Sequence, residues 1–453
     1  MPRLSPTAFL AASLLFFGTS LDPISKDLKR STAMDAKMAS WKPTGTYIDA
    51  DPPHGANIVD GMWIFRVKRP PGSPPVFKAR YVARGFSQPQ GVDYFHTFSS
   101  TPKMTTLRVL LHVPAQRDYE LHSLDFSTVF LQGSLHEEIW LCLHEEIWLR
   151  TDTSLPPFYI LVYLGLQITW DIARRTITLT QSHMVHQVLQ RFGIRYSSPQ
   201  STPLPTSHSL LAPPSDESVE PSDPYPELEG CLMYLMTFTR PDLAYPFSIL
   251  ARYVAPRSHR PEHWEAAKRV LRYLCSTSGM GLVLGGRGPV VLTGHADASW
   301  VDDLATQRSS QGYTFSLGSG SVSWRSTRSS SVLSSSCEAE IYAGAMAAQE
   351  LCWLTYLLTD LGEWPRSPLI LYVDNKAMIA LCQEHKLEHR TKHIALRYFI
   401  ARELQQRGQL RLAYVASRPN TADIFTKALQ PGDHQRFCTV LGLVPTLPHL
   451  VTS

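Results

Sequence analysis

The stretch that decides the fold lies in the C-terminal third and reads PVVLTGHADASW at residues 289–300, GYTFSLGSGSVSWRSTR at 312–328 and CEAEIYAGAMAAQELCWLTYLLTDLG at 337–362. The first segment has the pattern of a β-strand, and the second predicts a two-stranded hairpin that turns at Gly318 to Gly320. The third has the length and apolar spacing of a long helix. Three antiparallel strands and a helix are therefore predicted, in that order.

The pattern continues after this helix. In order, the sequence predicts an apolar strand LILYVDN closed by Asp374, helices near residues 376–384 and 391–407, the strand LRLAYV at 410–415, and a final helix from about Asn420. Ser335 and Glu338 have the spacing of a capping box, so the long helix should begin near Cys337 and hold Glu340 in its first turn. Together these elements predict a mixed sheet with flanking helices.

Four acids in this region stand inside recognisable local patterns. They are Asp297 in GHADASW, Glu340 in SSSCEAEIYA, Asp374 in LYVDNKA and Asp423 in NTADIFTKA. With RTKHIALRY at 390–398, these motifs resemble the ribonuclease H domain that ends the Pol polyprotein of copia-type retrotransposons. The resemblance runs from about residue 288 to residue 430.

That resemblance implies a site as well as a fold. It puts Asp297 and Asp374 on neighbouring central strands, with Glu340 and Asp423 at the starts of helices that face them. Hard cations prefer carboxylate oxygens, so the four acids are expected to hold two Mg²⁺ ions, with Mn²⁺ as the alternative. One ion would activate a water, and the other would stabilise the leaving 3′ oxygen of the RNA strand of an RNA:DNA hybrid.

Counting acids would not support this site, because the chain has 39 of them. The alternative is a non-catalytic nucleic-acid-binding relic or a co-opted host factor, in which the same elements bind nucleic acid without cleaving it. A third hypothesis, a structural interaction protein, has no sequence feature in its favour. The candidate Mg-dependent ribonuclease H and the binding relic are both carried forward.

The upstream half resembles the reverse transcriptase of the same polyprotein. Residues 61–86, GMWIFRVKRPPGSPPVFKARYVARGF, predict a basic hairpin, and the motifs KARYVARGFSQ, GVDYFHTFS and MTTLRVLL match the family closely. By this resemblance Lys78, Arg80 and Arg84 would approach template or nucleotide phosphates. Without it, a solvated hairpin face is the simpler interpretation.

The polymerase site is expected to be broken. The resemblance places its first metal-binding carboxylate on Asp125, in LHSLDFSTVFLQGSL. The family continues through a long palm and fingers segment to a hairpin with Y-V-D-D, whereas here FYILVY ends at Tyr163 and passes directly into LGLQITWD. One aspartate cannot hold two divalent ions, which repel each other unless several anions surround them. LHEEIWL, which occurs at 135–141 and again at 143–149, looks like a splice or gene-model artefact rather than a structural repeat.

Further nucleic-acid contacts are predicted, each with an alternative. Trp324, Arg325 and Arg328 on the C-terminal hairpin would touch the hybrid's minor groove by stacking and phosphate contacts. The alternative is a half-buried tryptophan with solvated arginines. His393 and Arg397, in HRTKHIALRYF, are expected near the site, although a lone histidine on a helix is more often structural.

Composition sets wider limits. The net charge of the 453 residues is only +4, so nucleic-acid contacts must come from local patches. Seven cysteines without a C-x-x-C pair or a His/Cys array argue against disulfides and zinc, and favour a reducing compartment. AFLAASLLFF at 8–17 resembles a short secretory signal but is too short to span a bilayer. No membrane partner is expected, and a cytoplasmic or nuclear location is favoured over secretion.

The sequence thus predicts an α+β protein. Its expected parts are an unassigned N-terminus at 1–35, a truncated reverse-transcriptase palm and fingers remnant at 36–200, a Pro-rich linker at 201–226, a helical connection at 227–285, a ribonuclease H-like mixed sheet with flanking helices at 288–430, and a tail at 431–453. The expected partner is an RNA:DNA hybrid or other nucleic acid, and no pattern sets an oligomeric state.

Overall fold

The computed structural model describes residues 23–39, 41, 58–59, 61–68, 74, 76–83, 103–117, 140–141, 160–163, 165–194, 198–206, 223–255, 259–363, 368–383 and 400–446. The chain divides into two compact units. The first comprises Met1–Ser100, His122–Pro157 and Ser453, and the second comprises Thr101–Leu121 and Phe158–Thr452. Among the helices in the described ranges, none is long and apolar enough to cross a bilayer.

The first unit contains a basic hairpin. Its described elements are helix α1 (Pro23–Ala39) and strands β1 (Ile58–Val59), β2 (Gly61–Lys68), β3 (Val76–Ala83) and β4 (Trp140–Leu141). Strands β2 and β3 pair antiparallel, so the predicted hairpin is confirmed over this range. Trp41, Trp63 and Tyr81 pack together beside it, with ring centres 5.0 to 6.3 Å apart.

The second unit has two five-stranded sheets within the described residues. In chain order its elements are α2 (Met104–Arg117), β5 (Ile160–Tyr163), β6 (Leu166–Asp171), β7 (Thr176–Thr180), α3 (Ser182–Arg191), α4 (Tyr225–Phe238), α5 (Ala244–Leu250), α6 (Pro261–Ser276), β8 (Met280–Gly285), β9 (Thr293–Asp303), β10 (Arg308–Ser316), β11 (Ser321–Arg328), α7 (Ser336–Asp360), β12 (Leu369–Val373), α8 (Lys376–Gln383), α9 (Ile400–Gln406), β13 (Leu410–Tyr414), α10 (Pro431–Val440) and β14 (Leu443–Pro445). Short 3₁₀ helices lie at Pro241–Leu243, Ala251–Tyr253 and Thr421–Phe425.

The first sheet is antiparallel, with the strand order β14-β8-β7-β6-β5. Helix α2 covers it, and Val109 of that helix is buried in one core with Ile177 and Leu282 of the strands. Strand β7 of this sheet leads directly into helix α3. The apolar stripe of α3 packs into a second core with α4 and α6.

The second sheet has the order β11-β10-β9-β12-β13. Strands β9, β10 and β11 are antiparallel, whereas β12 pairs parallel with both β9 and β13. Helix α7 packs across β9 and β10. Strand β12 lies between β9 and β13, and its buried residues are Leu371 and Val373, which share one face of the sheet. The predicted α+β class and the ribonuclease H-like order of elements are confirmed.

Two local expectations differ from the structure. The final helix predicted from Asn420 is the 3₁₀ helix Thr421–Phe425, with Asn420 as its N-cap. The Asn420 side chain accepts a hydrogen bond from the amide of Ala422 at 3.2 Å, and this local bond closes a tight turn instead of an α-helical one. Of the helix predicted at 391–407, the structure describes α9, Ile400–Gln406.

The cap of α7 is also rearranged. Ser335 accepts a hydrogen bond from the Glu338 amide at 3.1 Å, as a capping box requires. The Glu338 carboxylate, however, accepts from the amide and hydroxyl of Ser334, at 2.6 and 2.7 Å, rather than from Ser335. The helix begins at Ser336, so Glu340 stands just after the first turn and not within it.

Candidate functional site

Three carboxylates from separate elements converge beside the central strands of the second sheet. Asp297 lies on β9, Asp374 directly follows β12, and Asp423 lies in the 3₁₀ helix Thr421–Phe425. One oxygen from each lies within 4.8 Å of the others. The parallel register of β12 with β9 pairs Tyr372 with His295, so the two strands bring their acids to the same level.

The 3₁₀ helix is held close enough for Asp423 to reach the sheet. The Asn420 side chain donates to the carbonyl of Ala296 at 3.0 Å, on the residue before Asp297. Phe425 lies directly over Gly312 of β10, where an added Cβ would stand 2.5 Å from the Phe425 Cβ. A glycine at this position therefore allows the close approach that brings Asp423 to Asp297.

A lysine that sequence reasoning missed lies among these acids. The Lys427 ammonium is 3.0 Å from Asp423 Oδ1 and 3.5 Å from Asp297 Oδ2. The Thr426 hydroxyl also donates to Asp297 Oδ2. The four-residue spacing of Asp423 and Lys427 is a signal for an intrahelical ion pair, but contact with Asp297 depends on the fold. Lys427 thus supplies an internal countercharge for two of the carboxylates.

Glu340, the fourth predicted acid, lies beside this group but is not one of the three that converge most closely. Its Oε1 accepts a hydrogen bond from the amide of Ala298 at 3.4 Å, on the residue after Asp297. Its Oε2 is buried and has no hydrogen-bond partner in the described part of the chain, and the same holds for Asp297 Oδ1. Each carboxylate therefore keeps one buried oxygen without a donor.

The electrostatics of the site follow from burial and crowding. Burial raises the pKa of Glu340 well above its usual value, and Asp297 and Asp374 raise it further. Burial also raises the pKa of Asp297, which Lys427 opposes. For Asp423, burial and then Asp297 raise the pKa to about 7. The crowded carboxylates thus raise one another's pKa, and a divalent cation, which attracts ionised carboxylates, would relieve their repulsion.

The neighbouring carboxylates also shift the pKa of Lys427. Burial acts to lower the pKa of its ammonium group, but Asp297 and Asp423 raise it above the usual value. Asp374 is the most accessible of the acids, being partly exposed, and its Oδ2 accepts a hydrogen bond from the Ser417 hydroxyl at 2.7 Å. Solvent and a substrate would therefore reach the site from the side of Asp374.

The predicted nucleic-acid contacts have different outcomes. Lys78 and Arg80 are exposed on β3 of the first unit. Trp324 is only 9% exposed, its indole N–H donates to the Met236 carbonyl at 3.1 Å, and the Arg108 guanidinium covers its ring at 3.8 Å. The ring face and the donor of Trp324 are thus already used within the protein, which agrees with the alternative of a half-buried tryptophan, and its contact with nucleic acid stays a prediction. Asp125, Arg84, His393 and Arg397 lie outside the described residues.

The two arginines of the C-terminal hairpin, Arg325 and Arg328, differ in how far they are exposed to solvent. Arg325 is exposed on β11. Arg328, with 30% of its side chain exposed, donates to Asp303 Oδ2 at 2.7 Å. The contact of these arginines with nucleic acid stays a prediction, and the structure places both on one wall of a groove at the edge of the sheet.

Comparison with known proteins agrees with the motifs. The family model "Reverse transcriptase (RNA-dependent DNA polymerase)" matches residues 45–145. The retrovirus-related Pol polyprotein from transposon TNT 1-94 of Nicotiana tabacum is 28% identical, over 88% of this chain and 36% of its own length. The corresponding polyprotein from transposon RE2 of Arabidopsis thaliana is 31% identical, over 88% of this chain and 33% of its own length. The chain thus spans about a third of the length of these relatives.

Among solved structures, the N-terminal RNase H domain of rv2228c from Mycobacterium tuberculosis, fused to maltose-binding protein, is 14% identical over 33% of this chain and 97% of that chain, with a TM-score of 0.23. That score is low, and the ribonuclease H-like fold is assigned from the strand order. With the Pol polyproteins matching along most of its length, the chain belongs to the copia-type retrotransposon Pol polyprotein family and combines a reverse-transcriptase-like region with a ribonuclease H-like fold.

Proposed function

We propose that the C-terminal domain, residues 288–430, hydrolyses the RNA strand of RNA:DNA hybrids with Mg²⁺, for which Mn²⁺ can substitute. The carboxylates are those of Asp297, Glu340, Asp374 and Asp423. The observation that carries this proposal is the meeting of three of these acids within 4.8 Å, from segments far apart in the sequence. The buried oxygens that lack a donor support the same set, because a bound cation would satisfy them.

Bound Mg²⁺ would lower the pKa of an attacking water and stabilise the leaving 3′ oxygen. The chain's own groups orient the carboxylates for this task. Thr426 fixes one oxygen of Asp297, and Ser417 fixes one oxygen of Asp374 at 2.7 Å. In each case the other oxygen remains free to face a ligand, and the partial exposure of Asp374 leaves the site open to a substrate backbone.

The second candidate function is binding of nucleic acid without cleavage, by a relic or a co-opted host factor. The position of Lys427 favours it, because an ammonium group between Asp423 and Asp297 already neutralises part of the charge that would attract metal. The two candidates differ in one measurable property. A nuclease exchanges the ammonium contact for divalent ions, whereas a relic keeps the contact when Mg²⁺ is added.

We also infer that DNA synthesis is lost. Asp125 has no partner aspartates of the Y-V-D-D type in this sequence, because FYILVY passes directly into LGLQITWD. The alignment with the RE2 polyprotein extends over 481 residues although it covers only 88% of this 453-residue chain. Part of the relative's sequence therefore has no counterpart here, which supports an internal loss.

Hydrolysis of a hybrid with a labelled RNA strand tests the nuclease proposal. Asp374→Asn keeps the shape of the side chain and removes its charge, so cleavage should fall to background while hybrid binding changes little. Asp171→Asn is the matched control, because Asp171 lies on β6 beside the exposed Arg174. Equal cleavage by Asp374→Asn and the unmodified protein would exclude this site. Tight hybrid binding by the unmodified protein without cleavage would favour the binding relic.

A further inference from the structure

A groove of about 660 Å³ lies beside β11, the edge strand of the second sheet. Its cationic lining consists of Lys103, Arg108, Arg252, Arg308, Arg325 and Arg328, and no acidic residue is among the described side chains that line it. The hydroxyl-bearing run at 326–330 forms part of the same wall. Guanidinium groups and hydroxyls are the donors that proteins use for phosphate oxygens.

Two of these cationic side chains already bind other groups of the protein. The Arg108 Nε donates to the Val322 carbonyl at 2.7 Å, and its Nη1 donates to the Thr237 carbonyl at 2.7 Å. Lys103 forms a 2.7 Å ion pair with Glu350. Arg108 thereby covers the first half of the β11 edge, and it leaves the second half, from Arg325 onward, facing the groove.

The other four cations give the groove its excess charge. Arg252 and Arg328 share a single carboxylate, that of Asp303, at 3.2 and 2.7 Å. Arg308 and Arg325 have no ion pair with any described residue, and Arg325 is exposed. Asp302 also lies near Arg252, so two acids stand against four guanidinium groups, and this leaves a local positive field although the net charge of the whole chain is only +4.

Ser326 and Arg328 in the wall of the groove point to the same face of the sheet as Asp297, whereas Arg325 pairs with Tyr313 and points to the other face. Asp297 of β9 pairs with Gly312 of β10, which pairs in turn with Ser326 of β11. Residues directly opposite each other on paired strands point to the same face. Two strand spacings, roughly 10 Å, therefore separate the backbone of the metal site from the wall of the groove.

We propose that this groove binds the phosphodiester backbone of nucleic acid, at a subsite separate from the carboxylates. The role rests on the proposed function, because the ligand is the same substrate. Arg308 and Arg325 make the accessible phosphate contacts. Arg252 and Arg328, which pair with Asp303, add to the positive electrostatic potential of the groove. Most of these cations come from elements whose sequences show no basic run, so the fold alone assembles the subsite.

The test measures binding of a labelled RNA:DNA hybrid to the full chain by fluorescence anisotropy across a salt series, with EDTA present. Arg308→Ala/Arg325→Ala should lower the slope of log K against log salt by about two, with roughly a tenfold loss of affinity per arginine near 0.1 M salt. Arg308→Lys/Arg325→Lys should recover most of the slope. Arg174→Ala/Arg407→Ala is the matched control, because it removes the same charge from side chains that are 78% and 63% exposed elsewhere in the unit.

Three results would overturn the subsite. The first is an unchanged slope in the groove variant, and the second is an equal change in the control variant. The third is competition by polyglutamate that matches competition by an oligonucleotide of equal charge, which would make the groove a general anion site. Thermal melting excludes unfolding as the cause. The nuclease proposal is tested apart from this, because Asp374→Asn changes cleavage and leaves binding intact, whereas the groove variants weaken binding.

Discussion

Replacing Lys427 by methionine tests the ammonium group that lies between Asp423 and Asp297, 3.0 and 3.5 Å from their oxygens. Methionine keeps most of the side-chain volume and removes the charge. Breaking a buried ion pair from one side costs roughly 3 to 5 kcal/mol when the other charge stays buried. Because 36% of the Lys427 side chain is exposed, solvent screens part of this interaction, and we expect a loss of about 2 kcal/mol.

The loss should depend on pH. Burial raises the pKa of Asp423 from 3.8 to about 7, so the native state keeps a proton that the unfolded chain has released. This contribution to stability is fully present below the unfolded pKa and is lost as pH rises through the folded pKa. Lys427 lowers the pKa of Asp423, so replacing Lys427 raises that pKa. The loss of stability with rising pH then continues above pH 7. The difference between the variant and the unmodified protein should be smaller near pH 6 than near pH 9.

Thermal unfolding in EDTA, repeated with Mg²⁺, measures both effects. A loss of about 2 kcal/mol lowers the Tm by roughly 3 °C for a unit of this size. Mg²⁺ should stabilise the variant more than the unmodified protein, because the ion replaces the missing charge. Lys268→Met is the control, since Lys268 pairs with Glu265 on the surface of α6 and such pairs contribute little. Equal Tm values near pH 9, or weaker stabilisation of the variant by Mg²⁺, would contradict this role of Lys427.

Three other predictions concern the helix over the sheet, the pH dependence of metal binding and the polymerase. Gly312→Ala places a Cβ 2.5 Å from the Phe425 Cβ and should destabilise the domain by about 1 to 3 kcal/mol in urea unfolding and abolish cleavage. Gly230→Ala, in open space on α4, should stabilise it or leave it unchanged. Mg²⁺ affinity measured by calorimetry should rise with pH through about 7, because Asp423 must lose its proton to bind a cation; affinity independent of pH would contradict this. Primer extension with Mg²⁺ or Mn²⁺ should give no product above background, and processive synthesis would show that another carboxylate replaces the missing pair.

The positions of the two acids on or next to strands, Asp297 and Asp374, were predictable because local sequence patterns determine those strands. Asp297 stands within a β-strand pattern, and Asp374 closes a continuous apolar strand, so strand pairing alone brings both to one place. Asp423 was predicted with the wrong local structure. Its position depends on Gly312 approaching Phe425 and on Asn420 reaching the carbonyl of a distant strand, and neither contact has a periodic signal.

The cations were harder to predict than the acids. On β11, Trp324 and Arg328 share one face and Arg325 lies on the other, a pattern that fits both an open binding face and a packed one. Burial of Trp324 depends on Arg108 and on the Met236 carbonyl, which the chain brings from segments far away. Arg252 and Arg308 showed no motif of their own, and only the folded arrangement places them beside Arg325. Tertiary contacts of this kind decide a side chain's surroundings independently of its local pattern.

Asp297, Glu340, Asp374 and Asp423 are proposed to hold a pair of divalent ions. Anomalous diffraction from crystals of the full chain grown with Mn²⁺ tests this proposal most directly, because it locates the ions without relying on activity. We expect two peaks about 4 Å apart among these carboxylates, with the Lys427 ammonium displaced from Asp297. Saturating Mn²⁺ with no peak there, or with Lys427 still bridging Asp423 and Asp297, would contradict the proposal.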